Sequence, residues 1–358
     1  MRNLREQLDT YWAYICTMLP VDLDEMARTS GALRRCRNVR NAHTLMRIIL
    51  TYGATDLSMK AIAGWACVAG LARMSGPALF YRLRDSAGWL SEVLAAVLGE
   101  DVQPTQCKGL RIRITDASGV VGPGANGSEW LVHSVVDPVT GHLCSVDVTN
   151  DRVGENFSLH PVEPGDVMMG DRAYALATGI AYVHGHGGYV VARTNLHAIR
   201  LCRPDGSLFK PLNEVIVPEL GVASWDVLIP TPPASRSRSH KPWRLEDASG
   251  WIPARLVALR TMKGPIVWII TTLSSSQASD EEVMDLYRLR WQVELEFKRL
   301  KSLLGLDSMP SRQGPTARSW LLARLLVAAL VEKLLRKAGA FSPWGYRLPS
   351  RATSCSNI

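Results

Sequence analysis

The chain has 358 residues, of which 47% are hydrophobic and 21% are charged. This composition is enough for a sizeable core and more than one domain, and it excludes a disordered polyelectrolyte. The formal net charge of +8 favours a polyanionic partner, with nucleic acid ahead of an anionic membrane.

The seven cysteines are scattered and never spaced as CxxC, which argues against a disulfide framework or a zinc module and indicates a reducing compartment. The N-terminus lacks the apolar core of a signal peptide. The most apolar run, residues 320–335, is interrupted by charges and is too short to span a bilayer. We therefore expect a cytoplasmic protein with no membrane partner.

Residues 1–105 predict an all-α domain, because apolar residues recur there at helical spacing. Ser75-Gly76-Pro77 marks a turn followed by a helix start. Short helices around a turn favour a helix-turn-helix-like module that binds DNA. A basic cluster precedes the module, and it is either a solvated helical face or a set of phosphate contacts. Its members are Arg34, Arg35, Arg37 and Arg40.

Residues 106–197 change to the alternation that is typical of strands. Strands are predicted at 110–118, 130–138, 142–149 and 188–195. The stretch PGDVMMGDRAY, 164–174, predicts a turn, a buried strand and then the start of a helix. A meander of three strands followed by strand-helix-strand is the order of a mixed α/β sheet in an RNase H-like core.

Residues 198–264 are rich in proline and predict a mainly β insertion with a basic loop at 235–244. The apolar runs 255–260 and 265–273 predict a strand pair. The second part of the core then follows at 265–340, with a helix capped at Ser279 or Asp280 and a last helix at about 316–338. Residues 341–358 form a tail.

The stretch LYRLRWQVELEFKRLK, 286–301, is predicted to be helical, with one apolar stripe that packs in the core. Its boundary face has two interpretations. Arg290 and Glu294 have the i,i+4 spacing of a simple helix-stabilising salt bridge. Alternatively, the face is functional, because four polar side chains share an arc of roughly 60° with Lys298 just outside it. The four are Tyr287, Arg290, Glu294 and Lys301.

The spacing of these four residues, Y-x2-R-x3-E-x6-K, resembles the signature of DDE transposases of the insertion-sequence-4 type. Two upstream motifs are similar to that family as well: ITDAS, which contains Asp116, and GDRAY, which contains Asp171. The resemblance covers residues 110–338. It implies that Asp116, Asp171 and Glu294 are the catalytic residues and the metal ligands.

The same resemblance implies two Mg²⁺ ions in each active site, with Mn²⁺ as a substitute, since paired ions stabilise both the attacking and the leaving oxygen of a phosphodiester. It implies DNA binding by Tyr287, Arg290 and Lys301, with Lys298 as a weaker candidate. The implied partners are double-stranded DNA, as terminal inverted repeats and target, and a second copy of the chain in a synaptic homodimer.

Two alternatives share this fold: a repressor-like derivative that binds DNA without cutting it, and a nuclease that cuts without joining. A glycosidase with a carboxylate pair is disfavoured, because the cations beside Glu294 would keep that acid ionised. Asp137 and Asp147 are expected in turns or salt bridges, and His184 and His186 in a solvated turn. Three further aromatic residues are interpreted as core or loop side chains: Trp225, Trp243 and Trp251.

Overall fold

Six helices precede the first strand in the part of the chain that the structure describes. The computed structural model describes residues 2–99, 106–107, 109–122, 124, 127–138, 142–218, 221–233, 243–260, 265–290, 305 and 314–337. The helices are α1 (Arg2–Cys16), α2 (Leu23–Thr29), α3 (Ala42–Ala54), α4 (Met59–Val68), α5 (Gly76–Arg84) and α6 (Ala87–Gly99). The prediction of a helical N-terminal region is confirmed.

Three of these helices begin at capping side chains that satisfy exposed backbone N–H groups. Asn41 accepts a hydrogen bond from the N–H of Thr44 at 2.8 Å, at the start of α3. Ser58 caps α4 in the same way, and Ser75 caps α5, where Pro77 lies in the first turn. The helix start predicted at Ser75-Gly76-Pro77 is therefore confirmed.

The rest of the described chain builds one mixed sheet of eleven strands in the order β4-β3-β2-β5-β6-β11-β10-β9-β7-β8, with β1 paired to β2. The mixed α/β class is confirmed, and each strand predicted from 110 to 195 is present. The strands are β1 (Gln106–Cys107), β2 (Leu110–Val121), β3 (Ser128–Asp137), β4 (His142–Asn150), β5 (Asp166–Gly170), β6 (Tyr189–Arg193), β7 (Leu201–Cys202), β8 (Leu208–Phe209), β9 (Gly221–Thr231), β10 (Gly250–Arg260) and β11 (Val267–Thr271).

The residues predicted to form a β-rich insertion, 198–264, contain β7 to β10, which belong to the same sheet as the other strands. β9 and β10 pair antiparallel along their whole length, and β10 pairs antiparallel with β11, as predicted for the strand pair. β11 in turn pairs with β6, so the insertion joins the core through hydrogen bonds between strands. The parallel pairs β2–β5 and β5–β6 lie at the centre of the sheet. The domain boundaries at 105, 197 and 264 stay predictions.

The remaining helices lie on the two faces of this sheet. They are α7 (Ala177–Gly185), α8 (Pro211–Glu214), α9 (helical over the described residues 280–290) and α10 (Gly314–Lys337). α10 is the predicted last helix; it packs against α3, α6 and β4 and shares one buried core with them. A second core lies on the opposite face, where α7 covers the sheet. Among the described helices, none has both the length and the apolar character of a membrane span.

The contact between α3 and α10 depends on Gly53. A Cβ at this position would lie 2.8 Å from the Ala323 Cβ and 2.9 Å from the Ala323 backbone carbon. We expect Gly53→Ala to lower the free energy of unfolding by about 1–3 kcal/mol, because overpacking forces the two helices apart. Gly64→Ala is the matched control, since a Cβ there meets nothing within 4 Å and alanine favours the helix. Urea unfolding measures both, and equal stability of the two variants would contradict the prediction.

Candidate active site

The two predicted catalytic aspartates belong to neighbouring parallel strands, Asp116 within β2 and Asp171 directly after the end of β5. In the pairing of β2 with β5, Ile114 lies opposite Met169. Continuing this register by two residues places Asp116 opposite Asp171, with both side chains on the face of the sheet that Ile114 and Met169 share. Hydrogen-bonded strands are about 4.8 Å apart, so the two carboxylates are close neighbours.

Asp171 sits in a tight turn directly after β5. Its Oδ1 accepts a hydrogen bond from the N–H of Ala173 at 2.7 Å, which holds the carboxylate at the strand end. The helix that GDRAY was expected to start begins later, at Ala177, because this turn interrupts the chain first. Gly170 is required before the turn, since a Cβ there would lie 2.6 Å from the Tyr174 Cβ.

Glu155 is a third carboxylate in this neighbourhood, and the sequence analysis missed it. Burial, together with the charges of Asp171 and Asp116, raises its pKa to about 7. Glu155 lies between β4 and β5, just before a 3₁₀ turn at Phe157–Leu159. No spacing in the sequence links it to the two aspartates, because only the folding of this connection brings the three together.

The start of α9 is fixed by a capping box. The Ser279 hydroxyl accepts a hydrogen bond from the N–H of Glu282 at 3.2 Å, and the N–H of Ser279 donates to Glu282 Oε2 at 2.8 Å. The backbone N–H groups of Ser279 and Glu282, which have no partner within the helix, are thus each bound by the side chain of the other residue. Of the two caps that the sequence left open, Ser279 and Asp280, the structure shows Ser279.

α9 carries two of the predicted DNA-binding residues to the aspartate face. Tyr287 is 8% exposed and Arg290 is 9% exposed, and the Arg290 guanidinium lies 5.6 Å from the centroid of the Tyr287 ring. Burial raises the pKa of Tyr287. The positive charges of Arg290 and Arg193 lower that pKa, and the negative charge of Asp171 raises it. Arg290, Arg193 and Asp171 are therefore all close enough to the Tyr287 hydroxyl to act on it electrostatically.

Arg193 is a second residue that the sequence analysis missed. It ends β6, and the pairing of Gly170 with Ala192 places it beside Asp171 when the register continues by one residue. Asp116, Asp171 and Arg193 thus follow one another across three strands. A strand-end arginine is common in any sequence, so only the order of the strands reveals this row.

Glu294, Lys298 and Lys301 lie outside the described residues. Within the described ones, no three histidine, cysteine, aspartate or glutamate side chains are grouped to hold a metal ion. Asp116 and Asp171 nevertheless supply the hard oxygen donors that Mg²⁺ takes, and their negative charge raises the pKa of Glu155. The pair fits a divalent cation that takes a further ligand from elsewhere in the chain.

Other acidic and basic side chains in the sheet form structural ion pairs. Asp137 lies 3.6 Å from Arg113, and Asp147 lies 3.4 Å from Arg318 on α10, so the salt-bridge interpretation of both aspartates is confirmed. Arg111 binds Asp166 at 2.9 Å. The basic residues that alternate along β2 are thus engaged by acidic neighbours within the fold.

The tryptophans and histidines considered in the sequence analysis have different surroundings in the structure. Trp225 packs on Trp268 with ring centroids 6.0 Å apart, and Arg200 lies over the Trp243 ring at 4.7 Å. Trp251, in β10, is 41% exposed. His184 and His186 end α7, where His186 Nδ1 lies 2.7 Å from the carbonyl oxygen of Tyr182.

The chain is similar to proteins of known class along most of its length. Residues 108–330 match the family model described as the transposase DDE domain. The chain is 30% identical over 347 residues to the transposase InsL named for insertion sequence element IS186A of Escherichia coli K12, covering 90% of this chain and 93% of that protein. It is also 30% identical over 348 residues to the transposase for insertion sequence element IS421 of Escherichia coli, with the same coverage.

Proposed function

This chain belongs to the DDE transposase family, and from that membership we propose that Asp116, Asp171 and Glu294 are its catalytic carboxylates and metal ligands. The protein is a transposase of an insertion sequence element, an enzyme that cleaves DNA and transfers strands. The observation that carries the proposal is that Asp116, in β2, and Asp171, directly after the neighbouring parallel strand β5, both act electrostatically on Glu155, while Asp171 also acts on Tyr287 of α9.

The chemistry of phosphodiester cleavage explains why carboxylates stand at this place. Two Mg²⁺ ions, or Mn²⁺ in their place, would supply Lewis acidity at the attacking and leaving oxygens. Asp116 and Asp171 would hold them from two strand ends, and Glu294 from the helix that α9 begins. Glu155 lies close enough to this pair for the charges of Asp171 and Asp116 to raise its pKa, and a cation bound between the aspartates would favour its ionised form.

The cationic side chains near the aspartates would bind the DNA backbone. Arg290 offers a bidentate contact to a phosphate, and Tyr287 offers a hydroxyl donor. Lys301 and Lys298 would contribute point charges from later turns of the helix. Arg193 joins this group, because its charge acts on the Tyr287 hydroxyl beside Asp171.

We further propose the finer features that the signature implies. The enzyme is of the insertion-sequence-4 type, with an RNase H-like core, and the helical residues 1–105 contact DNA. Its partners are double-stranded terminal inverted repeats and target DNA, bound by a homodimer in the bacterial cytoplasm. The order of β2 to β6 and the β-rich insertion before α9 support this assignment.

The test is cleavage of a labelled duplex that carries the inverted repeat flanking the gene. We expect wild-type protein to cut with Mg²⁺ or Mn²⁺, to stop with EDTA, and to join the liberated end to a second duplex. Binding without cutting would indicate the repressor-like alternative. Cutting without joining under all metal conditions would indicate a nuclease.

Arg290 provides a test of the DNA-binding face. Arg290→Lys keeps the charge but removes the planar fork that grips a phosphate and covers the Tyr287 ring. We expect the Kd for the duplex to rise about tenfold, the effect of losing roughly 1.4 kcal/mol of binding. Fluorescence anisotropy at fixed ionic strength measures this, since salt weakens phosphate contacts.

Arg288→Lys is the matched control, because Arg288 is exposed on the same helix and pairs with Asp285 at 2.5 Å. Its Kd should change by less than about twofold. Equal losses in the two variants would mean that α9 attracts DNA through its total charge and that Arg290 makes no specific contact.

A further inference from the structure

The connection between β11 and α9 is held by a buried arginine from a different strand. Arg255 lies in the middle of β10 and is 6% exposed. Its Nε donates to the carbonyl oxygen of Leu273 at 3.0 Å, and one terminal nitrogen donates to the carbonyl oxygen of Ala278 at 2.7 Å. The other terminal nitrogen binds Asp280 Oδ1 at 2.6 Å. The guanidinium thus grips both ends of this connection.

Asp280 ties the first turn of α9 to two strands of the insertion. Its Oδ1 accepts from Arg255 in β10, and its Oδ2 accepts from the Ser224 hydroxyl in β9 at 2.6 Å. α9 follows β11 in sequence, yet its first residues are fixed from β9 and β10. The carboxylate is only 26% exposed, so solvent screens the ion pair weakly.

We propose that Arg255 is a positioning residue that sets the direction of α9 through Asp280 and so couples the β insertion to the active site. The inference rests on the proposed role of α9 in presenting Tyr287 and Arg290. Tyr287 and Arg290 follow Asp280 by roughly 10–15 Å along the helix axis. A tilt at the first turn therefore displaces the side chains beside Asp171, and a displacement of about 1 Å can cost a hundredfold in rate.

The geometry of the contacts makes arginine specific here. A guanidinium donates in several fixed directions at once, to two backbone carbonyls and to Asp280, whereas a lysine ammonium is a single point on a flexible stem. Arg255→Lys therefore keeps the positive charge but cannot make all of these hydrogen bonds at once. Asp280→Asn keeps the shape and removes the charge, and it serves as the second variant if Arg255→Lys folds poorly.

The experiment combines kinetics with hydrogen exchange on the full chain. In the metal-free, DNA-free protein, we expect Arg255→Lys and Asp280→Asn to accelerate amide exchange within 280–290 and to leave β2 and β5 unchanged. In cleavage assays with Mg²⁺, we expect kcat to fall at least about tenfold, and we expect the Kd for the duplex to rise as well, because Tyr287 and Arg290 move with α9.

Asp285→Asn is the matched control, because Asp285 pairs only within the same helix, with Arg288, whose side chain is 70% exposed, and the change should leave exchange and kcat unchanged. Three results would overturn the inference: unchanged exchange in α9, faster exchange in α9 with an unchanged kcat, or faster exchange throughout the sheet with a lowered Tm. A wild-type protein that cuts no duplex would instead contradict the proposed function, while the exchange data would still decide whether Arg255 fixes α9.

Discussion

Replacing Asp171 with alanine is expected to lower the rate of metal-dependent DNA cleavage at least about a thousandfold, and Glu294→Ala should have an effect of the same size. Each change removes a carboxylate oxygen from the proposed metal site. The Asp171 carboxylate is held in place by the hydrogen bond from the N–H of Ala173. Cleavage of the flanking inverted repeat with Mg²⁺ and with Mn²⁺ measures the effect, and Mn²⁺ calorimetry should record weaker metal binding in parallel.

Glu163→Gln is the control for this experiment. Glu163 is an exposed carboxylate just before β5, where it pairs with Arg111 at 2.6 Å, far along the strand from Asp171. It should cut at the wild-type rate. If Asp171→Ala and Glu294→Ala both retain full cleavage, the active site lies elsewhere in the chain.

A second large effect is expected on stability at low pH, through His160. This imidazole is 1% exposed, and its pKa is lowered to about 4, chiefly by burial and also by His133, while Asp147 acts in the opposite direction. His160 becomes protonated near pH 6.5 in the unfolded chain, but only near pH 4 in the folded chain. Stability therefore falls as pH drops through this window, by about 3 kcal/mol at its lower end.

The contribution of His160 is isolated by comparison with His160→Gln, because Glu155 acts with the opposite sign. The raised pKa of Glu155 means that its protonated form stabilises the folded state, and that stability is lost as pH rises from about 4.5 to about 7. The free energy of unfolding of the wild type and of His160→Gln is measured in urea between pH 4 and pH 8. The contribution of Glu155 is the same in both proteins and cancels in the difference. The stability of the wild type relative to His160→Gln should decline below pH 6.5, and a constant difference would show that His160 does not drive the acid sensitivity.

The elements of this fold could be predicted from the sequence where their signals are local. Alternation of apolar residues predicts β2, and the S-x-x-E pattern at Ser279 predicts the start of α9, because a strand or a capping box is decided by residues within a few positions of one another. The motifs around Asp116 and Asp171 are local in the same sense. They predict which strands carry or precede the carboxylates. They do not predict which strands pair with one another.

The tertiary structure alone decided which side chains meet. β2 and β5 pair in parallel across more than fifty residues of sequence, and that pairing aligns Asp116 with Asp171 and adds Arg193 and Glu155. The contacts of Arg255 with Leu273, Ala278 and Asp280 at the start of α9 are likewise seen only in the folded chain, although the pairing of β10 with β11 was predicted. Such contacts depend on which strands become neighbours. Local spacing in the sequence does not encode that choice, because it follows from burying two cores on the faces of one sheet.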